Sequence, residues 1–140
     1  MGWGRKPGGP KYGNSKTLHE ESGITFDSKW EHDCYVILLD YQNEKKISDL
    51  NTQNRVNMVV NGIKICAIVI DFRFKYQDEI VFLDAKSAAT SPAGFRVKMK
   101  LFEAIMDCKL HLTERRAKGI LDDIDKGNSI NNKPKKSRLN

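Results

Sequence analysis

The segment AIVIDFRFKYQDEIVFLDAKS, residues 67–87, decides the fold, because it contains two apolar stretches separated by a short polar one. Apolar residues alternate along each stretch, as is typical of β-strands. With Gln77 and Asp78 as the two central turn residues, Phe72 pairs with Leu83 and the apolar residues of the two strands coincide. The sequence therefore predicts an antiparallel hairpin whose register is set by this turn, and a three-residue turn would shift that register.

The same register brings charged residues together inside an otherwise apolar hairpin. Asp71 lies opposite Asp84, with their Cβ atoms about 4.5–5.5 Å apart, and Lys86 follows Asp84 on the same face. Like charges in this position destabilise a sheet, so one carboxyl group holds a proton, a cation lies between the two, or Lys86 neutralises them. Mg²⁺ prefers oxygen ligands of this kind. The pattern predicts either a Mg²⁺ site or a salt-bridged trio at a solvated sheet edge.

The segments before this hairpin predict an α/β fold in which helices flank a mixed central β-sheet. Residues 17–28 read as a short hairpin, and a helix follows with Asp27 or Ser28 as its N-cap, fading over residues 42–46. Asn61-Gly62, between two apolar stretches, is a strong signal for a two-residue hairpin turn.

The segments after the hairpin add two helices and a short strand. Residues 95–108 have helical spacing, residues 109–112 suggest a strand, and residues 113–126 suggest a last helix that Gly119 weakens. The predicted inner face of the first of these helices is formed by Val97, Leu101, Ile105 and Cys108.

Charge divides the 140 residues into three parts. Residues 1–16 and 113–140 each carry a net charge of +4, whereas residues 17–112 carry −2. We expect a flexible basic arm over residues 1–16, a folded core over 17–112, and a basic C-terminal helix with a disordered tail over 113–140. Basic arms favour a polyanion such as DNA as the partner, although they also serve solubility alone. The arm residues expected to contact DNA are Arg5, Lys6, Lys11 and Lys16.

Other features exclude several classes of protein. No apolar stretch approaches the roughly 20 residues of a membrane span, and the N-terminus lacks the apolar run of a secretory signal. The three cysteines lack the spacing of a metal site and indicate reduced thiols. We therefore expect a cytoplasmic protein without a membrane partner.

Two short motifs resemble the signature of the PD-(D/E)XK nuclease superfamily. Asp71 matches the first Asp, with Ile70 in place of the usual Pro, and Asp84-Ala85-Lys86 matches the (D/E)XK part. Between Lys11 and Leu112, the order of the stretches KYGNSKT, GITFDSKWEHDCY, KISDLNTQNRV, AIVIDFRF and FLDAKS also resembles a family of small phage-encoded proteins of that superfamily.

The resemblance implies a restriction-endonuclease-like core and a metal-dependent DNA endonuclease, which would act in the cytoplasm of the infected bacterial host. Small phage members include resolvases of Holliday junctions and other branched DNA. The implied cofactor is Mg²⁺, for which Mn²⁺ can substitute. Because branched DNA has two symmetric strands to cut, a resolvase is expected to be a homodimer.

The resemblance also assigns residues outside the two motifs. Glu31 would complete the metal site from the first core helix, although its position in the first turn is equally explained by the helix dipole. The backbone carbonyl of Ala85 would be a further metal ligand, and Gln53 would contact a water or a phosphate, unless it only makes a hydrogen bond at the end of a strand. Basic residues on the helix after the hairpin would either meet phosphates or simply be exposed; they are Arg96, Lys98 and Lys100.

The expected reaction is hydrolysis of a phosphodiester by a water that Mg²⁺ activates. Asp71 and Asp84 would hold the metal, with Glu31 as an outer ligand or a ligand of a second metal, and Lys86 would position or polarise the nucleophile. One alternative is a nuclease for nicking, trimming of DNA ends or degradation of host DNA. Another is a non-catalytic DNA-binding protein or a structural protein of a phage particle.

Overall fold

The protein, described by a computed structural model over residues 16–86 and 93–137, has six strands and three helices in these two ranges. A two-stranded sheet pairs β1 with β2, and a four-stranded sheet has the order β3-β4-β5-β6. The β3–β4 and β4–β5 pairs are antiparallel and the β5–β6 pair is parallel, which confirms an α/β fold with a mixed sheet. The elements are β1 (Thr17–His19), β2 (Ile24–Phe26), α1 (Lys29–Asn43), β3 (Ser48–Val60), β4 (Ile63–Tyr76), β5 (Glu79–Ala85), α2 (Ala93–Met106), β6 (Leu110–Thr113) and α3 (Ile120–Lys126).

The predicted register of the β4–β5 hairpin is confirmed. Phe72 pairs with Leu83, and the two turn residues Gln77 and Asp78 have φ angles of 48° and 65°. Two successive residues with positive φ match the twist of the flanking strands and close the hairpin without an extra residue.

The first helix begins as the sequence predicts. Ser28 is the N-cap, with an extended backbone, and its hydroxyl accepts a hydrogen bond from the N–H of Glu31 at 3.1 Å. This bond satisfies one of the free donors of the first turn. It also fixes the turn that carries Glu31, so the cap and the predicted site residue are linked.

Two separate hydrophobic clusters cover the two faces of the four-stranded sheet. Adjacent strand residues point to opposite faces, and Leu83 packs in the cluster of α1 and α3, whereas Phe82 packs in the cluster of α2. The ring of Phe82 lies 5.0 Å from that of Phe102, edge to face. The face shared by Phe82 and Asp84 is therefore covered by a helix, and it is not the solvated edge that one reading of the sequence predicts.

Strand β4 contributes to both clusters. Ile68 and Ile70 lie in the α2 cluster, whereas Phe72 and Phe74 lie in the α1 cluster. The change occurs at Asp71. The simple alternation that the sequence predicts, with all four apolar side chains on one face, is therefore wrong at this point.

The outer part of the β3–β4 hairpin extends beyond the rest of the sheet. β5 pairs with β4 only from Phe72 to Tyr76, whereas β3 pairs with β4 over almost its whole length, to Val60 and Ile63. We call the outer part, residues 55–69, the β-arm. Asn61 and Gly62 form its turn, both with positive φ, as predicted.

The inner face of α2 agrees with the prediction in part. Leu101 and Cys108 pack against the α2 cluster as predicted, whereas Val97 and Ile105 are exposed. Phe102 is fully buried, with Phe95 and Met99 packed beside it. Helical spacing identifies the helix, but aromatic side chains one position away from the predicted stripe make the larger buried contact.

The C-terminal part also corrects the prediction. The last helix begins only at Ile120, because Gly119 has a φ of 63° and a Cβ there would lie 3.4 Å from the carbonyl oxygen of Leu112. The expected disordered tail instead packs on the sheet as far as Asn132, whose side chain bonds to His111 and to the carbonyl of Ile80, both at 2.9 Å. Within the described ranges, no helix combines the length and apolar character that crossing a membrane requires.

Candidate active site

Three carboxyl groups meet where β4 changes from one hydrophobic cluster to the other. Glu31 comes from α1, Asp71 from β4 and Asp84 from β5. Glu31 and Asp84 are buried and Asp71 is half-buried. The three acidic residues that the sequence singles out as metal ligands are therefore brought together by three different elements.

The two aspartates replace the backbone ladder at the end of the β4–β5 pair. The N–H of Asp71 donates to Oδ1 of Asp84 at 2.8 Å, and the N–H of Ala85 donates to Oδ2 of Asp71 at 2.9 Å. The last regular pair of the ladder is Phe72 with Leu83. Each carboxyl group therefore satisfies a backbone donor of the opposite strand and is held in place by it.

Burial raises the pKa of all three carboxyl groups, and repulsion between charges adds to the shift at Asp71 and Glu31. Loss of solvation is the largest cause for each. The charges of Asp84 and Glu31 raise the pKa of Asp71 further, and the charges of Asp27 and Asp84 do the same for Glu31. The hydrogen bonds of Asp84 with the backbone N–H and the side chain of Asp71, and the charge of Lys86, lower the pKa of Asp84 without cancelling the effect of burial. In the absence of a cation, the cluster therefore retains protons that isolated carboxyl groups would lose.

Lys86 lies beside the two aspartates, one residue beyond β5. Burial lowers the pKa of its ammonium group. The charges of Asp84 and Asp71 act in the opposite direction, but the pKa stays below its ordinary value. Its Nζ atom lies 3.3 Å from the ring centroid of Phe95 on α2. Its N–H donates to the carbonyl of Thr113 at 2.8 Å, which ties the end of β5 to β6.

Gln53 of β3 lies beside the carboxyl cluster and has a backbone conformation that is unusual for a strand residue. The register places it opposite Asp71, yet it has a φ of 54°, which L residues rarely adopt within a strand. Its side-chain Nε2 lies 3.4 Å from Oε2 of Glu31, a long hydrogen bond. Strained backbone of this kind occurs often at functional sites. The contact of Gln53 with a water or a phosphate stays a prediction.

One basic residue near the site was missed by sequence reasoning. Arg115 follows β6, bonds to Oδ2 of Asp33 at 3.1 Å, and has its guanidinium carbon 5.1 Å from the ring of Trp30. Its charge and those of Asp71 and Glu31 act on the same buried thiol, Cys34, whose pKa burial raises. No local motif marks Arg115, because its position depends on the parallel pairing of β6 with β5.

The predicted DNA contacts are distributed around this centre. Lys16 precedes β1 and is exposed. Arg96, Lys98 and Lys100 are exposed on α2, where Arg96 follows the Phe95 that Lys86 contacts. Their contact with DNA stays a prediction. Three further predicted contacts lie outside the described residues: Arg5, Lys6 and Lys11.

The donor set fits a hard divalent cation in its chemistry. All donors are carboxyl oxygens, and a cation would relieve the repulsion between them. Among residues 16–86 and 93–137, however, no three His, Cys, Asp or Glu side chains are already arranged around a common metal position. Binding would therefore require the protons to leave and the carboxyl groups to converge on the ion, while one oxygen of each aspartate keeps its N–H partner. The Ala85 carbonyl stays a predicted ligand.

No family model, curated protein or solved structure matches the chain. Its function is therefore inferred from the chemistry of its own residues.

Proposed function

We propose that the protein is a metal-dependent DNA endonuclease of the PD-(D/E)XK type that cuts branched DNA in the host cytoplasm. The observation that carries this proposal is the meeting of Glu31, Asp71 and Asp84, with Lys86 beside them. Three acidic side chains in a largely buried position destabilise the folded protein when they are ionised, because burial and neighbouring like charges disfavour the charged form. Clusters of this kind, with raised pKa values, are common at catalytic sites.

Glu31, Asp71 and Asp84 would hold Mg²⁺ or Mn²⁺. When bound, such an ion supplies Lewis-acid activation of water and neutralises charge on the phosphate. The chain itself supplies the rest. The hydrogen bonds between β4 and β5 fix the two aspartates, and the capped first turn of α1 fixes Glu31.

Lys86 would position the attacking water or stabilise the charge that develops on the phosphate. Its ammonium group lies 3.3 Å from the ring centroid of Phe95, and the charges of Asp84 and Asp71 act on it. A preorganised positive charge in a partly buried place stabilises a transition state more strongly than one in water does.

Substrate binding would use the basic residues around the cluster. The loop of residues 114–119 begins beside the (D/E)XK strand, because Thr113 pairs with Ala85. It contains Arg115 and Arg116, both exposed enough to meet a phosphate. Phosphate contacts of this kind fix the position of the strand to be cut.

A second candidate function is favoured by one specific observation. The carboxyl oxygens of Asp71 and Asp84 already accept hydrogen bonds from the opposite strand. A protonated pair that only closes the end of a ladder would fit a non-catalytic DNA-binding protein. In that case the cluster would have no affinity for a divalent cation.

The deciding experiment combines cleavage with DNA binding. The purified protein is incubated with a synthetic four-way junction or a linear duplex, in Mg²⁺, in Mn²⁺ or in EDTA. We expect metal-dependent, symmetric cuts at the junction, which Asp84→Asn and Lys86→Met reduce by about 100-fold or more. Asp122→Asn, which removes an exposed carboxylate of α3, is the control and should cut normally.

Each other outcome contradicts a defined part of the proposal. Equal cutting of junction and linear DNA excludes a branched-DNA preference but keeps the nuclease. Full activity of Asp84→Asn excludes the assigned site. Binding without cleavage in either metal supports the non-catalytic candidate.

A further inference from the structure

The β-arm has one covered face and one open face. Met58 and Ile68 lie on the covered face, where they are buried with Phe102 of α2. Residues next to each other on a strand point to opposite faces, so the open face is formed by three cross-strand pairs: Arg55–Val69, Asn57–Ala67 and Val59–Lys64. These residues are exposed except Ala67, which is partly buried. The described part of the chain therefore leaves the open face free for a partner.

A bulge at Ile65 decides the position of Lys64. The pairing shifts from Met58–Cys66 to Val59–Lys64, so Ile65 has no partner on β3. In an unbroken strand Lys64 would lie on the same face as Cys66, which packs against the α2 cluster. The extra residue turns Lys64 to the open face and increases the twist of the hairpin.

The charge of the open face favours DNA as its partner. Arg55 and Lys64 are the only charged residues between Asp49 and Asp71 in the sequence. Neither belongs to an ion pair among residues 16–86 and 93–137. A positive surface without acidic neighbours attracts a polyanion. Two such faces would repel each other, so charge disfavours a contact between two copies of the chain.

The dimensions of the arm suit the major groove. The major groove of B-DNA is about 12 Å wide and admits a two-stranded β-ribbon, whereas the minor groove is only about 6 Å wide. At about 3.3 Å per residue, the arm extends about 20 Å from Val69 to Ile63, which is the length of about six base pairs.

The side chains of the open face are those that recognise base edges in the major groove. Arginine donates two hydrogen bonds to guanine, and asparagine pairs with adenine through its amide. Arg55 and Asn57 are neighbours on the open face of β3. Val59 and Val69, which are 45% and 46% exposed, offer apolar contact to the methyl group of thymine. Lys64, nearer the turn, is placed to meet a phosphate.

We infer that the β-arm lies in the major groove of the bound DNA, with Arg55 and Asn57 at the base edges and Lys64 at a phosphate. The inference rests on the proposed function only in taking DNA as the partner, because neither metal nor cleavage enters it. Arg55 lies two residues from Gln53, whose amide lies beside Glu31. The arm therefore reads base pairs close to the carboxyl cluster and gives the protein a sequence preference there.

The test is methylation interference on DNA binding without cleavage. Asp84→Asn protein in EDTA is mixed with a four-way junction and with a linear duplex, both treated with dimethyl sulfate. The reagent methylates N7 of guanine, in the major groove, and N3 of adenine, in the minor groove. We expect N7 methylation to weaken binding at one or more guanines in a stretch of about six base pairs, and N3 methylation to have no effect there.

Two variants in the same background separate the base contact from the charge. Arg55→Ala should abolish the effect of N7 methylation and lower the affinity about tenfold or more. Lys64→Ala should keep the guanine pattern and reduce the slope of log K against log salt by about 1. Lys126→Ala, which removes an exposed charge of α3, is the control and should change neither.

Asn57→Ala tests the same face through adenine. Replacing adenine with 7-deazaadenine removes the N7 acceptor and should weaken binding of protein that retains Asn57, but not of Asn57→Ala. Thermal unfolding checks that each variant folds. If Arg55→Ala does not fold, the adenine measurement decides.

Each other outcome overturns a defined claim. A protein that binds DNA with the same guanine and adenine patterns in Arg55→Ala and Asn57→Ala overturns the inference on the β-arm alone. A protein that binds neither DNA overturns the proposed function as well. Interference at N3 instead of N7 contradicts the major groove. Unchanged DNA binding with an altered oligomeric state in Arg55→Ala would show that a second copy covers the open face instead of DNA.

Discussion

The N–H of Asp71 donates to the carboxyl oxygen Oδ1 of Asp84 at 2.8 Å, and the reverse contact runs from the N–H of Ala85 to Asp71. The two side chains thus have a structural role as hydrogen-bond acceptors and an electrostatic role as neighbouring acids. An amide in place of a carboxylate keeps an acceptor oxygen but removes the charge. Asp→Asn variants therefore separate the two roles.

The variant Asp71→Asn should stabilise the protein in EDTA while abolishing its response to metal. Removing one of three repelling acids relieves a cost to the folded state, and the new amide can still accept from Ala85 and donate to Asp84. We expect the Tm in EDTA at neutral pH to rise by about 3 °C. We also expect the Mg²⁺-induced increase in Tm, present in the wild type through binding to the folded state, to disappear.

Asp122→Asn on α3 is the matched control and should change neither quantity. A fall in Tm for Asp71→Asn would show that the carboxylate charge stabilises the fold without metal. An unchanged response to Mg²⁺ would place the metal elsewhere.

The variant Lys86→Met should affect the reaction and leave metal binding intact. Methionine keeps an apolar stem against Phe95 but removes the ammonium group. We expect the rate of cleavage at saturating DNA to fall by about 100-fold, with the Mg²⁺-induced shift in Tm unchanged. Single-turnover kinetics and thermal unfolding measure the two. If Lys86→Met loses the Mg²⁺-induced shift in Tm together with the cleavage rate, Lys86 acts by shaping the carboxyl cluster.

Part of this site follows from sequence and part does not. Period-two alternation and the two-residue turn fix which residues of β4 and β5 pair, so Asp71 beside Asp84 is predictable. The change of cluster at Asp71 is not predictable, and neither is the positive φ of Gln53, a non-glycine residue, on the neighbouring strand. Tertiary packing imposes that conformation against local preference.

The same contrast holds for the periphery. The N-cap of α1 is readable because Ser28 and Glu31 are close in sequence. The position of Arg115 is not, because it follows from the parallel pairing of β6 with β5 and from contacts with α1. Long-range pairing of this kind leaves no local pattern in the chain.

Gln53 should show the cost of its backbone when two substitutions are compared. Gln53→Ala and Gln53→Gly both remove the amide that reaches Glu31, but only glycine adopts a φ near 54° freely. We expect the glycine variant to be more stable than the alanine variant by about 1 kcal/mol. Urea unfolding measures the difference. Equal stabilities would mean that the strand relaxes at this position.

Arg115 should contribute to DNA binding through its charge. Arg115→Ala is expected to weaken binding and to reduce the slope of log K against log salt by about 1, the amount of one phosphate contact. Arg115→Lys keeps the charge and should keep the slope. Fluorescence anisotropy on Asp84→Asn protein avoids cleavage during the titration. An unchanged slope for Arg115→Ala would confine this residue to its contacts with Asp33 and Trp30.

His111 should make the fold less stable in acid. It is buried on β6 and shares one hydrogen bond with Asn132, whose direction depends on the tautomer of the imidazole. Burial is the main cause that lowers the pKa of His111, and the charge of Lys109 lowers it further. The hydrogen bond with Asn132 and the charges of Glu103 and Glu79 act in the opposite direction without cancelling the effect of burial. A folded-state pKa below the unfolded value of about 6.5 means that the unfolded chain takes up a proton that the folded chain refuses. The stability that depends on neutral His111 is therefore fully present above about pH 6.5 and is lost as the pH falls below it.

His111→Gln keeps a polar partner for Asn132 but does not titrate. Its free energy of unfolding should fall less between about pH 7.5 and about pH 5.5 than that of the wild type, as measured by urea unfolding at these two values. Because the carboxyl groups titrate alike in both proteins, the difference between the two pH dependences isolates His111, and identical dependences would show that the imidazole accepts its proton without unfolding.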